Sequence, residues 1–135
     1  MSTTILIQDT KATGEVLGTI EIVLSSERVT LRDLIRQRVC KEVSSYNNTA
    51  ISERYSGLVE LPLVEKILNA QAQPKEHKRK YIDPEKQYLK ALAAFESNGY
   101  FVTVNDKQIQ TLDEAITLEP SSVVHFIKLI PLIGG

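Results

Sequence analysis

The chain has one cysteine, Cys40, and two histidines, His77 and His125, among its 135 residues. A single thiol excludes an internal disulfide, which fits a reducing cytoplasm. One cysteine and two scattered histidines complete no metal set. No Gly-rich phosphate loop and no paired-carboxylate site stands out. Ser44-Ser45 and Ser121-Ser122 read as turn residues with no local sign of a triad. The net charge is −1, so no global field draws the chain to nucleic acid or to an anionic membrane. No apolar run approaches the roughly 20 residues needed to span a bilayer. Met1-Ser2-Thr3-Thr4 has neither the charged region nor the apolar stretch of a secretory signal. These absences argue against an enzyme and place the chain in the cytoplasm.

Apolar content of 42% beside 24% charge fits one globular domain spanning residues 1–135. Residues 3–8 are rich in β-branched side chains and read as a strand. Residues 9–18 are polar and punctuated by Gly14 and Gly18. In residues 19–24, Ile20, Ile22 and Leu24 alternate with Glu21 and Val23, giving a half-buried second strand and an N-terminal hairpin. Thr30 is placed to cap a helix, with Asp33 three positions on. Leu31, Leu34, Ile35 and Val39 then follow helical spacing to about Val43, while Arg32, Arg36 and Arg38 point elsewhere.

Residues 44–49 are loop-like in composition, and Pro62 opens a short helix over residues 61–68. Asp83-Pro84 starts a clearer helix with an apolar stripe of Tyr88, Leu89, Leu92 and Phe95. Asn98-Gly99 stops it, with glycine free to turn left-handed. Residues 100–104 and 108–110 read as strands around a turn at Asn105-Asp106-Lys107. Residues 111–115 fit one capped turn, and residues 123–130 form a final strand so apolar that it should be covered on both faces. Strands around helices without strict alternation give an α+β fold.

The sequence as given closes on Gly134-Gly135. Two residues without a Cβ make a thin backbone that threads where side chains would clash. A free carboxylate there would be within reach of another enzyme. Pro131 removes a backbone donor and limits φ, so it would end sheet pairing and direct the tail outward. Leu132 and Ile133 would then fill partner pockets. Fully extended, the five residues from Pro131 to Gly135 reach roughly 17 Å, at about 3.3 Å per residue.

A hairpin, a helix and later strands that run into a diglycine resemble the β-grasp fold of ubiquitin-like proteins. The last third, from Phe101-Val102-Thr103-Val104-Asn105-Asp106-Lys107 to Pro131-Leu132-Ile133-Gly134-Gly135, is similar to the sulfur carriers of molybdopterin and thiamin biosynthesis. The likeness covers residues 3–43 and 100–135 and leaves residues 44–98 as a large, partly helical insertion. Bacterial ubiquitin-like proteins encoded beside ubiquitination-type enzymes are similarly elaborate. The resemblance implies a mixed sheet with a helix on one face and a protein modifier activated at Gly135. An activating enzyme would adenylate that carboxylate with its own ATP and Mg. This chain would bind no cofactor itself. Further partners would be a conjugating enzyme, a deconjugating protease and a target protein. The runner-up is a sulfur carrier bearing a thiocarboxylate at Gly135 for a sulfur acceptor, and the third reading is a β-grasp binding module that is never conjugated.

Cys40 has Arg36 and Lys41 near it in sequence, but a buried or bland thiol is the simpler reading. His125 reads as a structural or surface residue of the last strand. The basic run Lys75-Glu76-His77-Lys78-Arg79-Lys80 fits a solvated loop better than a nucleic-acid contact.

Overall fold

Alternation builds the first hairpin. In β1 (Thr3–Lys11), Thr3, Ile5 and Ile7 are buried while Thr4 and Leu6 face out. In β2 (Val16–Leu24), Ile22 and Leu24 are buried. The two strands pair antiparallel, with Ile5 opposite Ile22 and Ile7 opposite Ile20. The structure is a computed structural model and describes residues 2–48, 57–59 and 82–129. Both strands run further than composition predicts, and Gly18 lies within β2 rather than in a loop. The turn is confined to residues 12–15, where Gly14 has φ 96° and donates its N–H to Lys11 O at 2.8 Å. A β-bulge between Asp9 and Thr10 shifts the register opposite Gly18. Ladder pairing thus overrides the polar composition of residues 9–18.

After β3 (Arg28–Thr30), the Thr30 hydroxyl accepts the Asp33 N–H at 3.1 Å and starts α1 (Leu31–Asn48). Leu112 O and Glu114 O accept the Arg32 and Leu31 N–H groups at 2.9 and 3.3 Å. Both would otherwise lack partners at a helix start. The helix passes Val43 into the segment expected to be a loop. The reason is packing: Val43 and Tyr46 prolong the buried stripe of Leu31, Leu34, Ile35 and Val39.

Asn47 then holds the start of the next described segment. Its side-chain amide donates to Ile82 O at 2.9 Å and accepts the Ile82 N–H at 3.1 Å. Asp83 caps α2 (Pro84–Glu96) by accepting the Glu85 N–H at 3.0 Å. Tyr88, Ala91 and Leu92 face the core, whereas Leu89, expected in the stripe, is exposed. The left-handed residue at the helix end is Asn98, φ 61°, rather than Gly99. Asparagine tolerates that region better than most residues.

The last third places β4 (Tyr100–Val104), β5 (Lys107–Ile109), β6 (Ala115–Thr117) and β7 (Val124–Lys128). The expected turn at residues 111–115 is present over residues 111–114, where Glu114 donates its N–H to Thr111 O at 3.4 Å; β6 follows it and pairs antiparallel with β3, a pairing the sequence pattern missed. Asn105 and Asp106, φ 50° and 68°, form the tight β4–β5 turn. The main sheet runs β2-β1-β7-β4-β5, with β1 and β7 parallel and the remaining pairs antiparallel. This is a mixed five-stranded α+β arrangement.

One core joins the sheet to both helices. Leu58, Val59, Ile82, Tyr88 and Ala91 belong to it, so the described parts of residues 44–98 are built into the same interior. The central strand β7 is not covered on both faces. Val124 and Phe126 are buried, while His125 and Ile127 are half-buried on the opposite side. Leu6 and Val23 are exposed on that open face, at 45% and 59%. At the outer edge, Lys41 Nζ donates to Glu21 O, so a helix lysine occupies an acceptor of the edge strand β2. Among the described residues, no helix is long and apolar enough to cross a membrane.

Candidate functional site

The strand that leads to the diglycine is fixed in the middle of the sheet. β7 is hydrogen-bonded to β1 on one side and β4 on the other, and its last residue, Lys128, lies opposite Lys11 and Tyr100. Leu129 donates its N–H to Gly99 O at 3.4 Å. The expected strand bounds of residues 123–130 contract to Val124–Lys128. The predicted site residues Pro131, Leu132, Ile133, Gly134 and Gly135 lie outside the described residues, as do the 61–68 helix, His77 and the basic run at residues 75–80.

The β4–β5 turn is tied to Val123, the residue just before β7. Asn105 donates its N–H to Val123 O at 2.8 Å, and its side-chain oxygen accepts the Val123 N–H at 2.9 Å. One residue therefore closes the β4–β5 turn and aligns the strand that enters the sheet beside it.

Under the end of β7 lies a buried ion network that sequence reasoning missed. Arg38, expected to point away from the core, is 1% exposed and is the largest fully buried side chain. Its guanidinium donates to both Asp9 carboxylate oxygens at 2.5 Å and to Glu42 Oε2 at 3.2 Å. It also lies over the Phe126 ring, 4.7 Å from the centroid. Lys128 Nζ stands 3.8 Å from Asp9 Oδ2 and donates to Gly57 O at 3.5 Å. Glu42 Oε1 accepts the Leu58 N–H at 3.0 Å, and buried Gln87 donates to Val59 O at 3.1 Å. Residues 57–59 are thus held by polar groups from α1, α2 and β7.

Two cations and two carboxylates balance formally in this network. Burial alone would lower the Arg38 pKa, but the charge of Glu42 and the hydrogen bonds to Asp9 outweigh it and hold the group above the ordinary arginine value. Burial pushes the Glu42 carboxyl up, against the opposing pull of Arg38. The sequence signals were weak: Arg38 and Glu42 stand four apart on α1, and Asp9 follows the first apolar alternation. Nothing in the pattern says that this pair faces inward.

Beside the network, Tyr100 stacks on Phe126 with centroids 5.7 Å apart, and its hydroxyl donates to Ala91 O at 2.8 Å. Burial raises the Tyr100 phenol pKa. Cys40 is exposed on α1 rather than buried. His125 sits on the open face, opposite Gln8 on β1 and Thr103 on β4. Among the described residues, no His, Cys, Asp or Glu group is arranged to hold a metal ion. The described chemistry is anchorage: a central strand clamped at its start by Asn105 and at its end by buried charges.

No family model, curated protein or solved structure matches this chain.

Proposed function

We propose that this chain is a ubiquitin-like protein modifier on a β-grasp scaffold. In this reading a partner activating enzyme adenylates the Gly135 carboxylate, free as encoded or after processing. The carboxylate oxygen attacks the α-phosphorus of ATP and pyrophosphate leaves. A thiolate of the partner then attacks the acyl carbon and AMP leaves. A target amine finally displaces the thiolate, forming an amide. The partner supplies ATP, Mg and the nucleophile, and this chain supplies presentation. A conjugating enzyme and a deconjugating protease belong to the same proposal, as does a cytoplasmic setting.

The observation that supports this reading best is the position of β7. A strand paired on both sides and parallel to β1 leads directly into the segment Pro131-Leu132-Ile133-Gly134-Gly135. A tail rooted in the centre of a sheet has a fixed origin, which limits the conformational freedom lost when it enters a narrow cleft. The open face beside it, with Leu6 and Val23, offers apolar surface for the same partner.

The Asn105-Asp106 turn docked on Val123 favours the sulfur carrier as a second reading, because an Asn-Gly-type turn is part of that resemblance. Intact mass after incubation with an activating enzyme, ATP and a sulfur source separates the two. Oxygen-to-sulfur exchange at Gly135 marks the carrier, and an adduct stable to reductant and denaturant marks the modifier. If deleting Gly134-Gly135 alters neither outcome, both readings fail and the non-conjugated binding module stands.

A further inference from the structure

β2 is the long free edge of the main sheet. It pairs only with β1, whereas the opposite edge, β5, is three residues long. A short edge strand offers little to pair with, but the nine residues of β2 are a template for another chain. The charged and proline blocks common on such edges are missing from β2 itself, whose sequence VLGTIEIVL has no lysine, arginine or proline. Val16, Leu17 and Val23 are instead exposed there.

In an antiparallel ladder, successive residues aim their backbone groups alternately toward the partner strand and away from it. Lys41 Nζ reaches Glu21 O from α1, so Glu21 belongs to the outward set, and alternation puts Thr19 and Val23 with it. Among the described residues, no other hydrogen bond reaches the outward backbone groups of these three. The guard over this stretch of edge is borrowed from a helix.

The strand is its own complement. Turned antiparallel about Ile20, Val16–Leu24 lies on itself over its whole length: Val16 meets Leu24, Leu17 meets Val23, Gly18 meets Ile22 and Thr19 meets Glu21. This register sets outward groups against outward groups, so Thr19 and Glu21 exchange both backbone bonds on either side of a two-fold axis. A register centred on Glu21 would instead place two carboxylates directly opposite, which is unfavourable. The bulge residue, Leu17, falls toward the ends of the pairing rather than at its centre. Half of the central bonds need Glu21 O as acceptor, and that is the atom Lys41 holds. We infer that β2 is a self-pairing edge for a second copy of this chain, and that Lys41 keeps it closed by occupying Glu21 O. The inference does not depend on activation of the tail.

Analytical ultracentrifugation of the full chain tests this against Lys41→Met, which keeps the aliphatic stem and drops the amine. The dimer Kd of the variant should be at least about tenfold lower than that of wild type, because a charged donor no longer competes for Glu21 O in either copy. As the variant dimerises, hydrogen exchange should slow at the Thr19 and Glu21 amides. Thr19→Lys and Thr19→Glu, each added to Lys41→Met, probe the register. Position 19 and position 41 are both exposed, so these changes leave the core untouched. Opposite Glu21 of the second copy, lysine should tighten the dimer and glutamate should weaken it, each roughly two- to fivefold. The inference is overturned if Lys41→Met is no more dimeric than wild type, or if exchange slows at Gln108 on the β5 edge instead. It is also overturned if the dimer is indifferent to the charge at position 19.

Discussion

Arg38→Met keeps most of the side chain's bulk but removes the cation that bonds both Asp9 and Glu42. The two carboxylate side chains are only 14% and 9% exposed, so water replaces the lost partner poorly. Breaking a buried ion pair by deleting one partner costs about 3–5 kcal/mol. Lys128, 3.8 Å from Asp9 and 21% exposed, softens the loss. Two stranded carboxylates instead of one enlarge it. We expect a loss of about 4 kcal/mol, a large share of the roughly 5–15 kcal/mol that holds a typical domain.

Urea unfolding followed by far-UV circular dichroism at neutral pH measures this directly. With a denaturant slope of about 2 kcal/mol/M, the midpoint should fall by roughly 2 M. The triple variant Asp9→Asn, Arg38→Met, Glu42→Gln removes the charges along with their partner and should regain at least half of the loss. The sign of the pH dependence also follows. In Arg38→Met the Glu42 carboxyl loses the cation that opposes the upward push of burial, so its folded pKa exceeds the unfolded one by more than in the native chain. The folded state then binds more protons, its stability rises as pH falls, and the deficit against wild type narrows below neutral pH. Glu42 has the same sign in the native chain, because burial raises it there too. A loss under about 1 kcal/mol, or a triple variant no more stable than the single one, would refute the reasoning.

Tyr100→Phe deletes the bond to Ala91 O and should cost about 1 kcal/mol. Its raised phenol pKa makes the native tyrosine's contribution complete below about pH 10 and lost as pH rises beyond it, so thermal melts from pH 8 to 11 should flatten in the variant. Asn105→Ala places a Cβ residue without a local hydrogen-bonding group at φ 50° and removes the acceptor for Val123 N–H, an expected loss of about 2–3 kcal/mol in urea titration. Asn105→Gly keeps the backbone conformation accessible and should lose only about 1 kcal/mol in the same assay. Thr30→Ala removes the α1 cap and should lower stability by about 1 kcal/mol, read from the urea midpoint.

Local chemistry with a fixed offset was legible in the sequence. The Thr30 and Asp83 caps, the Asn105-Asp106 turn and the β4 limits were each set by neighbours in the chain. What eluded reading was decided at a distance. Residues 44–48 look like a loop, yet Tyr46 and Asn47 are recruited by core packing and by Ile82. Leu89 fits a helical stripe, yet the face that α2 buries is centred on Tyr88, Ala91 and Leu92. Arg38 has the identity of a surface residue. It is interior only because the fold brings Asp9 and Glu42 to it from a strand and a helix turn.

Intact-mass spectrometry of the full chain, incubated with an activating enzyme encoded beside it and ATP, tests the central proposal most directly. The account predicts a covalent adduct through Gly135 that is lost on deleting Gly134-Gly135 and blocked by a bulky residue appended after Gly135. An unmodified chain would contradict it, as would an adduct indifferent to both changes.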